Sequence, residues 1–138
     1  MELTRMTFNK IASSLTEIEL QKISATYEFS PKVLKEDGLY FEMEDIGVPC
    51  LADIYGEDPN DLPHWIWQEI IHILTTLYEC EGIEYIDITP YNFIEKDGKL
   101  WIIDFGHAFY TGSPVWPSNW FLRDLLDGDK RAWNPDFK

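Results

Sequence analysis

The chain has 138 residues, enough for one domain of ordinary size that buries on the order of two-thirds of the surface exposed when unfolded. With 45% apolar and 15% aromatic residues, six of them Trp, its composition is that of a packed globular protein and excludes a disordered tail. Its 25 acidic residues against 11 basic ones give a net charge of −14, which repels nucleic-acid backbones and anionic membranes and attracts basic partners.

Cys50 and Cys80 are far apart and have no His pair nearby, so they form neither a disulfide framework nor a zinc pattern. Cys80 ends an apolar helical stripe and is expected to pack as a small hydrophobe. The N-terminus carries no apolar run of signal-sequence type, and no stretch approaches membrane-spanning length. An intracellular, soluble, cytoplasmic protein is expected.

The first helix is placed by its cap. Thr16-Glu17-Ile18-Glu19 reads as a capping box, with Ser13 and Ser14 as rival caps, and Ile18, Leu20, Ile23 and Tyr27 form its apolar stripe. Ser30-Pro31 ends it. A β-hairpin follows, turning at Asp37-Gly38, with Leu39, Phe41 and Met43 alternating as in a half-buried strand. Residues 45–62 read as loop, with one helical turn around 51–55. The longest helix is predicted over 63–80, with Asp61 as N-cap and Ile66, Ile70, Ile73, Leu74 and Leu77 on its core face. His72 within it is expected to be a partly buried structural histidine. Glu81-Gly82 closes the helix. A loop with Asp87 and Asn92 then leads to a hairpin of strands at 93–94 and 100–103 around Asp97-Gly98. The last 32 residues are rich in aromatics and Pro, with a short helix expected near 120–126 and the aromatic tail expected to pack as a cap.

Chemistry gathers at this second hairpin. A hairpin brings its two ends together, so Asp87, Asn92 and Asp104 can converge although the outermost are 17 positions apart. Two carboxylates and an amide suit a hard cation such as magnesium, which shares its shell with waters and phosphates. The structural alternative is that Asp104 caps a tight turn and that Asn92 is a turn residue.

The segment Tyr85-Ile86-Asp87-Ile88-Thr89-Pro90-Tyr91-Asn92 resembles the HRDxxxxN or HGDxxxxN catalytic loop of the protein-kinase-like superfamily, and Ile103-Asp104-Phe105-Gly106 resembles its DFG segment. Residues 40–53 are similar to that family's strand and hinge. The two motifs together arise by chance about 0.02 times in a chain of this composition. The resemblance spans residues 16–106 and implies an α+β, abbreviated protein-kinase-like fold. The whole chain would be one domain, with 1–46 a reduced small lobe and hinge and 47–138 a reduced large lobe.

It also implies Mg²⁺ and ATP as cofactors. Asp87 would be the catalytic base, Asn92 and Asp104 metal ligands, and Glu44, Asp45 and Ile46 the backbone that meets adenine. Lys10 is the candidate for the phosphate-gripping lysine, with Glu17 or Glu19 as ion-pair partner; a solvent-exposed Lys10 is the competing reading. Tyr85 and Ile86 replace the family's His and Arg, every glycine lies after position 37, and no APE-like segment follows Gly106. The expected function is phosphotransfer to a hydroxyl acceptor. The alternatives are a catalytically impaired nucleotide- or partner-binding module, and a composite enzyme whose protein partner completes the small lobe.

Overall fold

The computed structural model of the chain describes residues 7–111, 123–125, 127 and 133. In chain order the elements are β1 (Thr7–Ile11), α1 (Leu15–Thr26), β2 (Val33–Asp37), β3 (Tyr40–Glu44), α2 (Leu51–Tyr55), α3 (His64–Glu81), β4 (Ile83–Glu84), β5 (Phe93–Lys96), β6 (Lys99–Ile102) and β7 (Phe109–Tyr110). A single 3₁₀ turn, Pro59–Asp61, separates α2 from α3.

β1, β3 and β2 form an antiparallel sheet in that order, with β3 central. Phe41 and Met43 on β3 point inward against Ala12 and Ile18 and make a small core. The turn residue Leu39 is exposed, so the alternation expected from Leu39 onward begins only at Phe41. β1 has no counterpart among the sequence-based expectations. Nearly all of its side chains are exposed, so no burial pattern marks it; it forms because the free edge of β3 is satisfied by pairing Thr7–Ile11 against Tyr40–Glu44.

α3 anchors the larger core. Ile66, Ile70, Ile73, Leu74 and Leu77 are buried along one face, as their spacing requires, and pack with Tyr85, Phe93, Leu100, Ile102 and Phe105. Gly82 ends the helix in the left-handed region at φ 65°, where a side chain would be strained. Helix α1 bridges the two cores, placing Ile18 in the small one and Leu20 in the large one. Its buried polar side chains are also tied. Gln21 Nε2 donates to Pro31 O at 3.1 Å, and Ser24 and Ser30 share a 2.7 Å hydrogen bond that continues from Ser30 Oγ to Ile102 O at 2.8 Å.

Several expectations are corrected. The cap of α1 is Ser14, whose Oγ accepts from Glu17 N; the Thr16–Glu19 box does not form because the helix has already begun at Leu15. Pro63, not Asp61, occupies the cap position of α3, since Asp61 belongs to the 3₁₀ turn. His72 is exposed, touching Phe29 edge-on at 6.0 Å between ring centroids, and Cys80 is exposed as well. Of the helix expected near 120–126, residues 123–125 are helical and the rest lies outside the described residues. In the aromatic-rich last 32 residues Phe109 and Tyr110 form β7 and Trp133 is buried against Trp67 and Phe93, while the other aromatics there lie outside the described residues. No helix among the described residues is long and apolar enough to cross a membrane.

Candidate active site

β5 and β6 pair from Phe93↔Ile102 to Lys96↔Lys99 around Asp97 and Gly98, both at positive φ, as an Asp-Gly hairpin turn demands. Past the open end, Ile103 N donates to Asn92 O at 2.9 Å, which brings Asn92 and Asp104 to the same rim. Asn92 is buried, and its Nδ2 donates to Asp87 O at 3.1 Å. That bond uses the amide nitrogen and leaves Oδ1 for a ligand. Tyr85, where the resembled loop has His, donates through its hydroxyl to Ile103 O at 2.6 Å and meets Phe105 edge-on at 5.2 Å. Burial pushes this phenol well above its ordinary range, so it remains a donor. The loop bearing Asp87 and the segment bearing Asp104 are thereby bolted together.

Asp104 sits at φ 63°, a left-handed conformation that costs a non-glycine residue on the order of 1 kcal/mol. Its Oδ1 accepts from Gly106 N at 3.0 Å, which offsets part of that strain. The same oxygen lies 3.2 Å from Lys10 Nζ.

Alternation along β1 puts Phe8 and Lys10 on the cleft side. Lys10 Nζ pairs with Glu17 Oε2 at 2.6 Å. The buried Glu17 also accepts from Ser13 N and Ser13 Oγ through Oε1, at 2.9 and 2.8 Å. Glu17 is therefore the lysine's partner and Glu19 is not. The two lie about 200° apart around the helix, and Glu19 instead accepts from Tyr110 Oη at 2.7 Å. That bond and partial burial push the Tyr110 phenol up to about 12. Burial pulls the Lys10 ammonium down, but the Glu17 hydrogen bond and the charges of Asp104 and Glu17 outweigh it and hold the group above the usual lysine value.

Lys10, Asn92 and Asp104 line one cleft of about 300 Å³, at the small end of the range for ligand pockets. Phe8, Met43, Ile46, Ile94 and Ile103 supply its apolar walls, and Glu44, Asp45 and Ile46 its rim. At that rim Ile46 O accepts from Lys96 Nζ at 2.8 Å, while Ile46 N has no partner among the described residues. Asp87 lies beside the cleft and does not line it. Its Oδ2 is 2.7 Å from His107 Nδ1. Burial raises the Asp87 carboxyl above the usual aspartate value, His107 draws it back in part, and the Asp104 charge pushes it up again.

His107 was missed by sequence reasoning. The available signal is positional: it stands one residue past the segment that the hairpin folds onto the Asp87 loop.

Among the described residues no three of His, Cys, Asp and Glu gather as a metal site. The donor set is instead one carboxylate, Asp104, with the Asn92 amide oxygen. So few protein oxygens suit magnesium, whose shell is completed by waters and phosphates. A cation at Lys10 beside that pair and flat apolar walls toward the rim complete a set of residues that fits a magnesium-bound nucleotide.

The structure is similar to the Cydia pomonella granulovirus kinase PK-1, with a TM-score of 0.65 at 14% sequence identity. The match covers 80% of this chain and 46% of that kinase, so the chain spans about half the length of the protein it resembles. Identity that low speaks to fold alone, and the fold is α+β and protein-kinase-like. The family model described as the RIO domain matches residues 3–126. The chain belongs to the RIO family, within the protein-kinase-like superfamily.

Proposed function

We propose that this domain transfers the γ-phosphoryl group of ATP, bound with magnesium, to a hydroxyl acceptor. The observation that carries the reading is the meeting of Lys10, Asn92 and Asp104 in one cleft that Glu44, Asp45 and Ile46 also line. RIO-family membership supports it, as a family of kinase-like phosphotransferases. Glu17 holds the Lys10 ammonium where it meets the phosphate oxygens of the nucleotide. Asp104 and Asn92 hold the metal through oxygen atoms. The Ile46 N–H offers a donor to the base edge, and Met43, Ile94 and Ile103 keep water from its faces. Magnesium, when bound, neutralises charge on the phosphate oxygens as the transfer proceeds.

Calorimetric titration with ATP, with and without Mg²⁺, tests the reading. Asp104→Ala is expected to lose Mg²⁺-dependent affinity by about 100-fold or more, since even outer-shell metal partners are each worth about 10–100-fold. Equal affinity in wild type and variant would sink it.

One observation favours a second reading, a domain that holds nucleotide without turning it over. Asp87 is buried beside the cleft with one oxygen already engaged by His107. Tight Mg²⁺-ATP binding with no ADP formed, for water or any hydroxyl acceptor supplied, would select that reading over the first.

A further inference from the structure

On helix α1, Leu15, Glu19, Lys22, Ile23 and Thr26 fall on one stripe, on the side of the helix opposite Glu17. With Glu36 of β2 and Glu81 at the end of α3, this stripe lines a groove of about 580 Å³, larger than the cleft that Lys10 enters. Leu15 is 66% exposed, and Ile23 is half-buried, packed on its inner side against the larger core. A lone exposed leucine is ordinary on a protein surface. Here it shares a concave surface with a second apolar side chain and three carboxylates.

The charges of the groove do not balance. Lys22 is its one lining cation among the described residues, and the Lys22 Nζ is spent on Glu36 Oε2 at 2.8 Å. Glu19 and Glu81 have no cation among the described residues. Each is held instead by a phenol. Tyr110 Oη donates to Glu19 Oε1 at 2.7 Å, and Tyr27 Oη donates to Glu81 Oε1 at 3.1 Å. The second oxygen of each carboxylate is without a partner among the described residues. A carboxylate pinned through one oxygen loses little rotamer freedom when it meets a cation through the other. The groove is therefore an apolar floor with two negative groups already in position.

We infer that this groove docks a basic segment of a partner protein, which lays an apolar side chain against Leu15 and Ile23 and sets Arg or Lys groups on Glu19 and Glu81. The inference goes beyond the phosphotransferase reading and stands without it, since the face lies across α1 from the nucleotide cleft. Charge complementarity selects the occupant. A second copy of this chain brings the same uncompensated carboxylates and a net charge of −14, and nucleic acid and anionic membranes are repelled in the same way. A bare polyamine matches the carboxylates but leaves the apolar floor uncovered.

The test uses the full chain and a synthetic peptide alternating Arg with Leu, followed by amide NMR and calorimetry. Shifts are expected to concentrate in α1, around Glu36 and around Glu81, with affinity falling as salt is raised. Glu19→Gln and Glu81→Gln lie outside both cores, and each is expected to raise the peptide Kd about tenfold through one lost charge-assisted bond. Leu15→Ser is expected to raise it about threefold or more. Asp53→Asn removes the same charge from α2 and is expected to leave the Kd unchanged. Absence of binding, or shifts that centre elsewhere, overturns the inference. So does equal weakening by Asp53→Asn, which would show diffuse attraction to an acidic surface. Binding of spermine, or of a peptide with Ser in place of Leu, as tight as that of the probe would show a cation site without docking, and overturns it as well.

Discussion

The helical region and the small sheet share one cleft but are unequally built. Around α3, 18 described residues form the larger buried core, whereas the sheet rests on four, Ala12, Ile18, Phe41 and Met43. Asp87, Asn92 and Asp104 ride on segments bolted to the larger core. Lys10 rides on an edge strand with almost no buried side chains. The lesson is a division of labour. The acidic and amide groups proposed to meet the metal are held by a core whose loss unfolds the domain, while the Lys10 cation is placed by a region able to open at lower cost. The 3.2 Å contact from Lys10 to Asp104 is one of the places where the two regions meet.

The comparison breaks most directly at the cores. Ile70→Ala removes a fully buried side chain from the face of α3 and is expected to cost about 2–5 kcal/mol in urea unfolding. Met43→Ala is expected to cost less, about 2 kcal/mol, with its effect concentrated in hydrogen exchange of β1 and β3. Equal global losses from the two would mean that the cores form a single unit.

A smaller effect separates stability from ligand contact. Lys10→Met leaves the buried Glu17 carboxylate without its cation, at a cost of about 1–3 kcal/mol. Glu17→Gln in the same chain should recover most of that in thermal melts. ATP affinity should stay at least about tenfold down in both variants, because a lost phosphate contact to a charged group is worth about 1.5 kcal/mol or more. Recovery of affinity in the double variant would show that Lys10 only neutralises Glu17.

Smaller still, Gly106→Ala would place a Cβ 3.1 Å from Asp104 Oδ1, 3.2 Å from Ser13 Oγ and 3.3 Å from Glu17 Oε1. All three atoms belong to the seam between the regions and must give by a few tenths of an ångström. About 1 kcal/mol of stability is expected to be lost, with weaker Mg²⁺ dependence of ATP binding as the readout of a displaced Asp104.

What the sequence revealed follows the same division. The second hairpin was legible because its determinants are local: Asp97-Gly98 dictates the turn, and the motifs on either side flank it. Helix α3 was legible from the period of Ile66, Ile70, Ile73 and Leu77. On the sheet side the β2–β3 hairpin was legible from Asp37-Gly38, but the third strand was not, because its determinants are non-local. Thr7–Ile11 carries no burial alternation and becomes a strand only through the edge of β3. A start two residues earlier than the apparent capping box gives α1 a cap at Ser14, and the side of the helix that reaches Lys10 carries Glu17 and not Glu19. The Asp87–His107 contact spans 20 positions and two loops, and its formation depends on the hairpin closing.

The smallest expected effect concerns Asp87 itself. Burial holds its carboxyl above the ordinary value of 3.8 despite His107. Between 3.8 and the raised native value the folded chain keeps a proton that the unfolded chain has released, so stability falls as pH rises through that window and stays lowered above it. Asp87→Asn cannot ionise and escapes this penalty. Its stability relative to wild type is therefore expected to improve between pH 4 and pH 7, by no more than about 1 kcal/mol because the bond to His107 is weakened at the same time. Urea unfolding of both chains at the two pH values reads the difference. A variant that loses ground as pH rises would mean that the attraction of His107 outweighs burial, placing the pair among stabilising contacts of the larger core. The predicted gain would instead mark Asp87 as a group kept at a cost in stability, as groups at functional sites often are.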